Sequence, residues 1–123
     1  MAETKTMEEK VALITGAGMG IGLACAEAFA RAGYNTILSD INEPKVQAER
    51  LVAGGYKATA YRLDVSDTQA VKEMIDWIMA TYGRLDAALN NAGIQTPQRP
   101  MAEITDNEFD RTVAVDLKGV WNC

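Results

Sequence analysis

Leu13-Ile14-Thr15-Gly16-Ala17-Gly18-Met19-Gly20-Ile21-Gly22 is an apolar run that breaks into glycines and resumes as a helix, and its reading decides the fold. Residues 11–14 are consecutively apolar, too few for a helix and enough for a strand buried on both faces, as in a parallel sheet. Beyond the glycines, Ile21, Ala24, Cys25, Ala28, Phe29 and Ala32 recur at the spacing of one helical face. Gly33 stands where a left-handed cap would close that helix.

Glycines in such a turn let the backbone approach a ligand closely. The unpaired N–H groups of the opening helix then face an anion with the helix dipole behind them. The implied ligand is a phosphate or pyrophosphate, held around Gly16, Gly18, Met19, Gly20, Ile21 and Gly22; a tight turn that binds nothing is the plainer alternative. The spacing is selective. Gly16, Gly20 and Gly22 satisfy G-x-x-x-G-x-G, whereas G-x-G-x-x-G fails at Ile21 and Leu23, and no Gly-Lys-Ser or Gly-Lys-Thr follows for a P-loop. A second apolar run, Thr36-Ile37-Leu38-Ser39, ends in Asp40, about 20 residues on, where a carboxylate meets an adenosine ribose. Such a carboxylate accepts ribose hydroxyls and repels a 2′-phosphate, and Ala17, Gly18, Met19 and Ile41 offer that phosphate no charge. NAD is therefore expected in preference to NADP.

A third cluster, Asn90-Asn91-Ala92-Gly93, closes a later strand. With Thr15 to Gly22 as T-G-x-x-x-G-x-G and this cluster as N-N-A-G, the chain resembles the short-chain dehydrogenase/reductase family from about Lys10 to its end. The resemblance implies a Rossmann-type, doubly wound parallel sheet in three α/β/α layers. It also implies NAD-dependent exchange of hydride with a small-molecule alcohol or carbonyl substrate. Asp64 and Val65 would lie against the adenine, with Ile41 beside Asp40, and Asn91, Ala92, Gly93 and Ile94 along the cofactor's ribose. Asp116 stands where the family usually carries an asparagine that holds a water leading to the catalytic lysine, which makes it the catalytic candidate in this chain. No lysine stands four residues after Tyr34, Tyr56, Tyr61 or Tyr82. The chain thus reads as the N-terminal part of a family member, ending before the catalytic serine, tyrosine and lysine and inactive alone. A non-catalytic dinucleotide-binding module, or a fragment that assembles with a partner, is the alternative.

The rest of the sequence fits this frame. The 123 residues suffice for one domain, with residues 1–9 a flexible tail and 10–123 an incomplete dinucleotide-binding unit of strand order 3-2-1-4. A net charge of −5 without a basic cluster argues against nucleic acid. No apolar run approaches the ~20 residues of a membrane span, and the polar start lacks a signal peptide, so the expected location is cytoplasmic. Histidine is absent and the two cysteines have no metal-ligand spacing, so no metal is expected.

Asn42-Glu43-Pro44 reads as a helix start, with Val46, Leu51 and Val52 as its apolar face. Residues 57–65 contain a third strand. Ser66-Asp67-Thr68-Gln69 matches a capping box before a stripe of Val71, Met74, Ile75, Ile78 and Tyr82, ended by Gly83. Residues 86–90 give a short fourth strand and 94–103 a loop at its carboxyl end. Thr105-Asp106-Asn107-Glu108 then caps a helix that turns Phe109, Val113, Leu117 and Val120 toward the core, with Asp116 on the same stripe and in need of a partner. The open edge of the fourth strand and this last helix predict a homo-oligomer.

Overall fold

The computed structural model describes residues 10–123; the expected N-terminal tail falls outside them. Four strands, β1 (Val11–Thr15), β2 (Asn35–Asp40), β3 (Ala58–Arg62) and β4 (Ala87–Leu89), form one sheet in the order β3-β2-β1-β4. All neighbours are parallel, with Leu13 opposite both Ile37 and Ala88. This is the expected order, and β1, in the interior of the sheet, is buried along its whole length.

Alternate residues of β1 point to opposite faces and build two cores. Val11 and Leu13 join Ile37, Leu63, Val71, Met74, Ile78 and Val115 on one face, whereas Ala12 and Ile14 join Leu38, Ala26, Ala30 and Leu51 on the other. Helices α1 (Gly20–Arg31) and α2 (Lys45–Ala53) cover the second face. Helix α3 (Thr68–Tyr82) covers the first, with the last helix, which runs as α4 (Asp106–Thr112), a π-helical segment (Val113–Lys118) and α5 (Gly119–Asn122). The result is a doubly wound, three-layer α/β/α sandwich. At the base of the sheet Val11 N–H donates to Asp86 Oδ2 at 2.8 Å and Asp86 N–H donates back to the Val11 carbonyl at 2.9 Å. No helix among the described residues is long and apolar enough to cross a membrane.

The phase of three helices departs from the hydrophobic pattern. Helix α1 buries Gly22, Ala26 and Ala30, one position away from the expected stripe, and leaves Ile21 75% exposed. Small residues win there because a side chain at Gly22 would collide with the preceding turn. Helix α2 buries Ala48 and Leu51 while Val46 and Val52 face solvent. It starts after a buried Pro44 with no side-chain cap among the described residues, so Asn42 does not cap it. The last helix is capped by Thr105 as expected, through Glu108 N–H at 3.1 Å. It buries Val115 and Gly119, with Glu108, Thr112 and Asn122 on the same face, and turns Phe109, Val113, Leu117 and Val120 toward solvent.

Helix α3 keeps its predicted stripe and its left-handed Gly83 terminus. Its cap is Asp67, one residue after the expected Ser66; Asp67 Oδ1 accepts Ala70 N–H at 3.0 Å. Ser66 is committed elsewhere, its hydroxyl donating to Asp64 at 2.6 Å.

Candidate functional site

The glycines of the turn are required for different reasons. Gly16 has φ +65°, and a Cβ there would lie 2.9 Å from both Ala92 Cα and Asn91 Nδ2. At Gly22 a Cβ would fall 2.1 Å from the Gly16 carbonyl oxygen. Gly20 has φ +59° but nothing within 4 Å of a Cβ, so its demand is conformational and the space above it is open. Helix α1 begins at this point with no side-chain cap among the described residues, which leaves its first N–H groups for another acceptor.

The ends of β1 and β4 are tied above the sheet. Thr15 Oγ1 accepts the N–H groups of Asn91 at 3.0 Å and Ala92 at 3.1 Å, and Asn91 Nδ2 donates to the carbonyls of Thr15 and Gly16, each at 3.3 Å. Asp40, at the end of β2, accepts Gly18 N–H on Oδ2 at 2.9 Å and Ile41 N–H on Oδ1 at 2.7 Å. Each oxygen keeps lone-pair capacity for a further donor.

A cavity of about 400 Å³ opens at these carboxyl ends, where open α/β sheets bind ligands. Gly16 and Met19 line it from beyond β1, Asp40 from the end of β2 with Ile41 just beyond, Asp64 and Val65 from beyond β3, and Asn91, Ala92, Gly93 and Ile94 from beyond β4. Of the other expected binding residues, Gly18 is fixed behind Asp40, Gly20 and the exposed Ile21 open the helix, and Gly22 is buried beneath the turn.

Asp64 Oδ1 accepts both the hydroxyl and the N–H of Ser66, at 2.6 and 3.0 Å. The Ser66 hydroxyl above all holds the Asp64 carboxyl below its ordinary range; burial opposes this, and the Ser66 N–H and the field of Arg111 assist. Asp116 is exposed rather than on a buried stripe, and its partner is Ile94 N–H, at 2.8 Å from Oδ1.

Ser39, Asn42, Leu63, Arg111 and Val115 also line the cavity and were missed as site residues. Ser39 carried a signal, a hydroxyl closing an apolar strand run. It is 1% exposed, and its Oγ has no hydrogen-bond partner among the described residues. A buried hydroxyl left unpaired costs about 1–3 kcal/mol, which a polar ligand group would relieve. Arg111 carried no signal, because nothing in its own helix ties it to Asp64. The open space over Gly20, the uncapped start of α1 and the Ser39 hydroxyl all fit a ligand with phosphates and polar ring edges.

Residues 10–123 match the family described as short chain dehydrogenase. The chain belongs to that family. It is 40% identical to the uncharacterised oxidoreductase YxbG of Bacillus subtilis, over 95% of this chain and 44% of that protein. It is 36% identical to secoisolariciresinol dehydrogenase of Forsythia intermedia, over 99% of this chain and 44% of that one. It is 37% identical to the 3-oxoacyl-[acyl-carrier-protein] reductase FabG of Thermotoga maritima, over 94% and 48% respectively. The chain therefore spans less than half the length of these relatives. The crystal structure of a metagenomic short-chain oxidoreductase in complex with NADP superposes with a TM-score of 0.88 at 29% identity, covering 93% of this chain and 52% of that one. Members of the family are oxidoreductases that bind a nicotinamide dinucleotide.

Proposed function

We propose that residues 10–123 form part of the dinucleotide-binding domain of an oxidoreductase that prefers NAD to NADP and acts on a small-molecule alcohol or carbonyl compound. One observation carries the preference: the Asp40 carboxylate lines the cavity while bonded to Gly18 of the turn. A ribose hydroxyl can donate to it, whereas a 2′-phosphate meets charge of the same sign. The solved relative holds NADP. What supports NAD here is this carboxylate, with uncharged Gly18, Met19 and Ile41 around it.

In this reading the turn and the first N–H groups of α1 hold the pyrophosphate, Asp64 and Val65 border the adenine, and Asn91 to Ile94 border the second ribose. The bound nicotinamide supplies hydride exchange with the substrate carbon. Asp116 acts by position, its carboxylate holding Ile94 N–H and so fixing the segment beside that ribose. Association between copies and a cytoplasmic setting belong to the same proposal, the former supported by the exposed apolar side chains of the last helix.

Calorimetric titration with NADH and NADPH tests the reading. NADH is expected to bind at least about tenfold tighter, roughly 1.4 kcal/mol. Equal or reversed affinities would overturn the NAD preference, and binding of neither would overturn the site.

A further inference from the structure

We infer that Gln47 is a positioning residue for the phosphate-binding turn, acting through the Gly18 peptide that it shares with Asp40. The inference rests on the cofactor-site reading above. Gly18 lies in the turn between β1 and α1, outside any strand or helix. Side chains from two other elements hold its backbone: Asp40 Oδ2 accepts its N–H at 2.9 Å, and Gln47 Nε2 donates to its carbonyl at 2.7 Å. The amide nitrogen must be the atom of Gln47 that faces Gly18, because a carbonyl oxygen can only accept. Gln47 is half-buried in the first turn of α2.

The geometry has a directional consequence. A trans peptide is planar and its C=O and N–H point in opposite directions. By holding the Gly18 carbonyl, Gln47 turns the N–H of Met19 away from α2. Met19 is the N-cap of α1 and lines the cavity; on this inference its N–H is one of the donors offered to an anion at the start of the helix. A carbonyl rotated the other way would present a negative dipole to the same anion. Close packing reinforces the arrangement, since a Cβ on Gly18 would come within 2.9 Å of Asp40 Oδ2.

Asp40 and Gln47 therefore have separable roles. Asp40 serves both the turn and the ribose, whereas Gln47 serves the turn alone. Loss of Gln47 should weaken ligands that carry a diphosphate and leave the choice between NADH and NADPH unchanged. Loss of Asp40 should change both.

The test compares Gln47→Leu, Gln47→Glu and Gln47→Lys with the unsubstituted chain by titration with NADH, NADPH, ADP and adenosine. Gln47→Glu is close to isosteric and places a carboxylate in the first turn of a helix, where it favours folding, so it keeps the test available if Gln47→Leu does not fold. Gln47→Leu and Gln47→Glu are expected to bind NADH, NADPH and ADP roughly tenfold more weakly with adenosine unchanged, and Gln47→Lys, which restores a donor, to recover most of the loss. The Met19 amide resonance should also move in Gln47→Glu without ligand, a readout that survives even if NADH proves not to bind. Unchanged ADP affinity, equal loss for ADP and adenosine, no recovery in Gln47→Lys, or an unmoved Met19 amide would each overturn the inference.

Discussion

Asn91 donates to Thr15 twice: its N–H to the Thr15 hydroxyl at 3.0 Å, and its side-chain amide to the Thr15 carbonyl at 3.3 Å. The pair bridges the ends of β1 and β4, where the chain's path across the sheet reverses and the cavity opens. Thr15→Val keeps the shape and removes the acceptor shared by Asn91 and Ala92 N–H. We expect a loss of about 2 kcal/mol, the middle of the range for stranding buried donors, measured by urea unfolding. Thr15→Ser should recover most of it, and a fully stable Thr15→Val would show that the tie contributes nothing.

Gly22→Ala and Gly20→Ala should separate collision from conformational strain. A helical Gly→Ala change ordinarily gains up to about 1 kcal/mol. At Gly22 the new Cβ would sit 2.1 Å from the Gly16 carbonyl oxygen, so we expect a loss of at least about 3 kcal/mol. Gly20→Ala meets no atom and should lose only about 1–2 kcal/mol, the cost of a left-handed residue. Thermal melts of the two variants side by side would expose a wrong ordering.

Stability should fall in acid partly through Asp64. Its carboxyl is depressed in the folded chain, first by the Ser66 hydroxyl. The unfolded state therefore binds the proton more tightly, and the contribution is complete above the ordinary aspartate value of about 3.9 and lost as pH falls through the lower folded value. Asp64→Asn should flatten the urea midpoint against pH between about 5 and 2 and leave the slope at pH 6–8 unchanged. An unaltered acid limb in that variant would remove Asp64 from the account.

Copies of the 123-residue chain should associate through the last helix. Phe109, Leu117 and Trp121 are 62%, 69% and 85% exposed on it, an apolar outlay that monomers seldom leave in water. Light scattering is expected to show dimers or larger species. Leu117→Lys with Trp121→Lys should shift them to monomer, and a monomer in the unsubstituted chain at high concentration would refute the prediction.

The same 123 residues should bind NADH without oxidising alcohols. A positioned acid–base group typically contributes about 10²- to 10⁴-fold to such a step. The sequence has no histidine and no Tyr-x-x-x-Lys, and the Asp116 carboxylate is engaged by Ile94 N–H. An absorbance assay over a panel of secondary alcohols checks this. Turnover that tracks the protein and vanishes in Gly20→Trp would reveal an acid–base group not recognised here.

What was legible in the sequence was what the local backbone demands. Gly16, Gly20 and Gly22, the Asp40 that ends β2 and the Asn91 cluster after β4 each mark a turn whose geometry narrows the residue choice, so strand order and most of the cavity wall followed. Helix phase did not follow. In α1 the contact face is Gly22, Ala26 and Ala30, whose small side chains give hydropathy little to detect, and in the last helix the face that turns inward carries Glu108, Thr112, Val115 and Gly119, mostly polar or small, while Phe109 and Leu117 face out. Ser39 and Arg111 line the cavity, and Gln47 holds the Gly18 carbonyl from 29 residues away, at strand or helix positions that no spacing rule joins to the glycine turn. The cap of α3 is Asp67 rather than Ser66, whose hydroxyl points back to donate to Asp64.

The π segment at Val113–Lys118 also bears on how chain length can vary. Within it Asp116 reaches Ile94, and just beyond it Gly119 packs so closely that a Cβ would lie 2.6 Å from Val65 Cγ2, while Asn122 Nδ2 donates to the Val65 carbonyl at 2.9 Å. The wider turn lets one helix serve two fixed points on opposite borders of the cavity. A chain one residue shorter there would regain an even α-helical pitch and have to release one of them. Insertions and deletions among relatives should therefore accumulate in the loop at 94–103 and avoid these six residues, giving the stretch a conserved length even where its side chains drift.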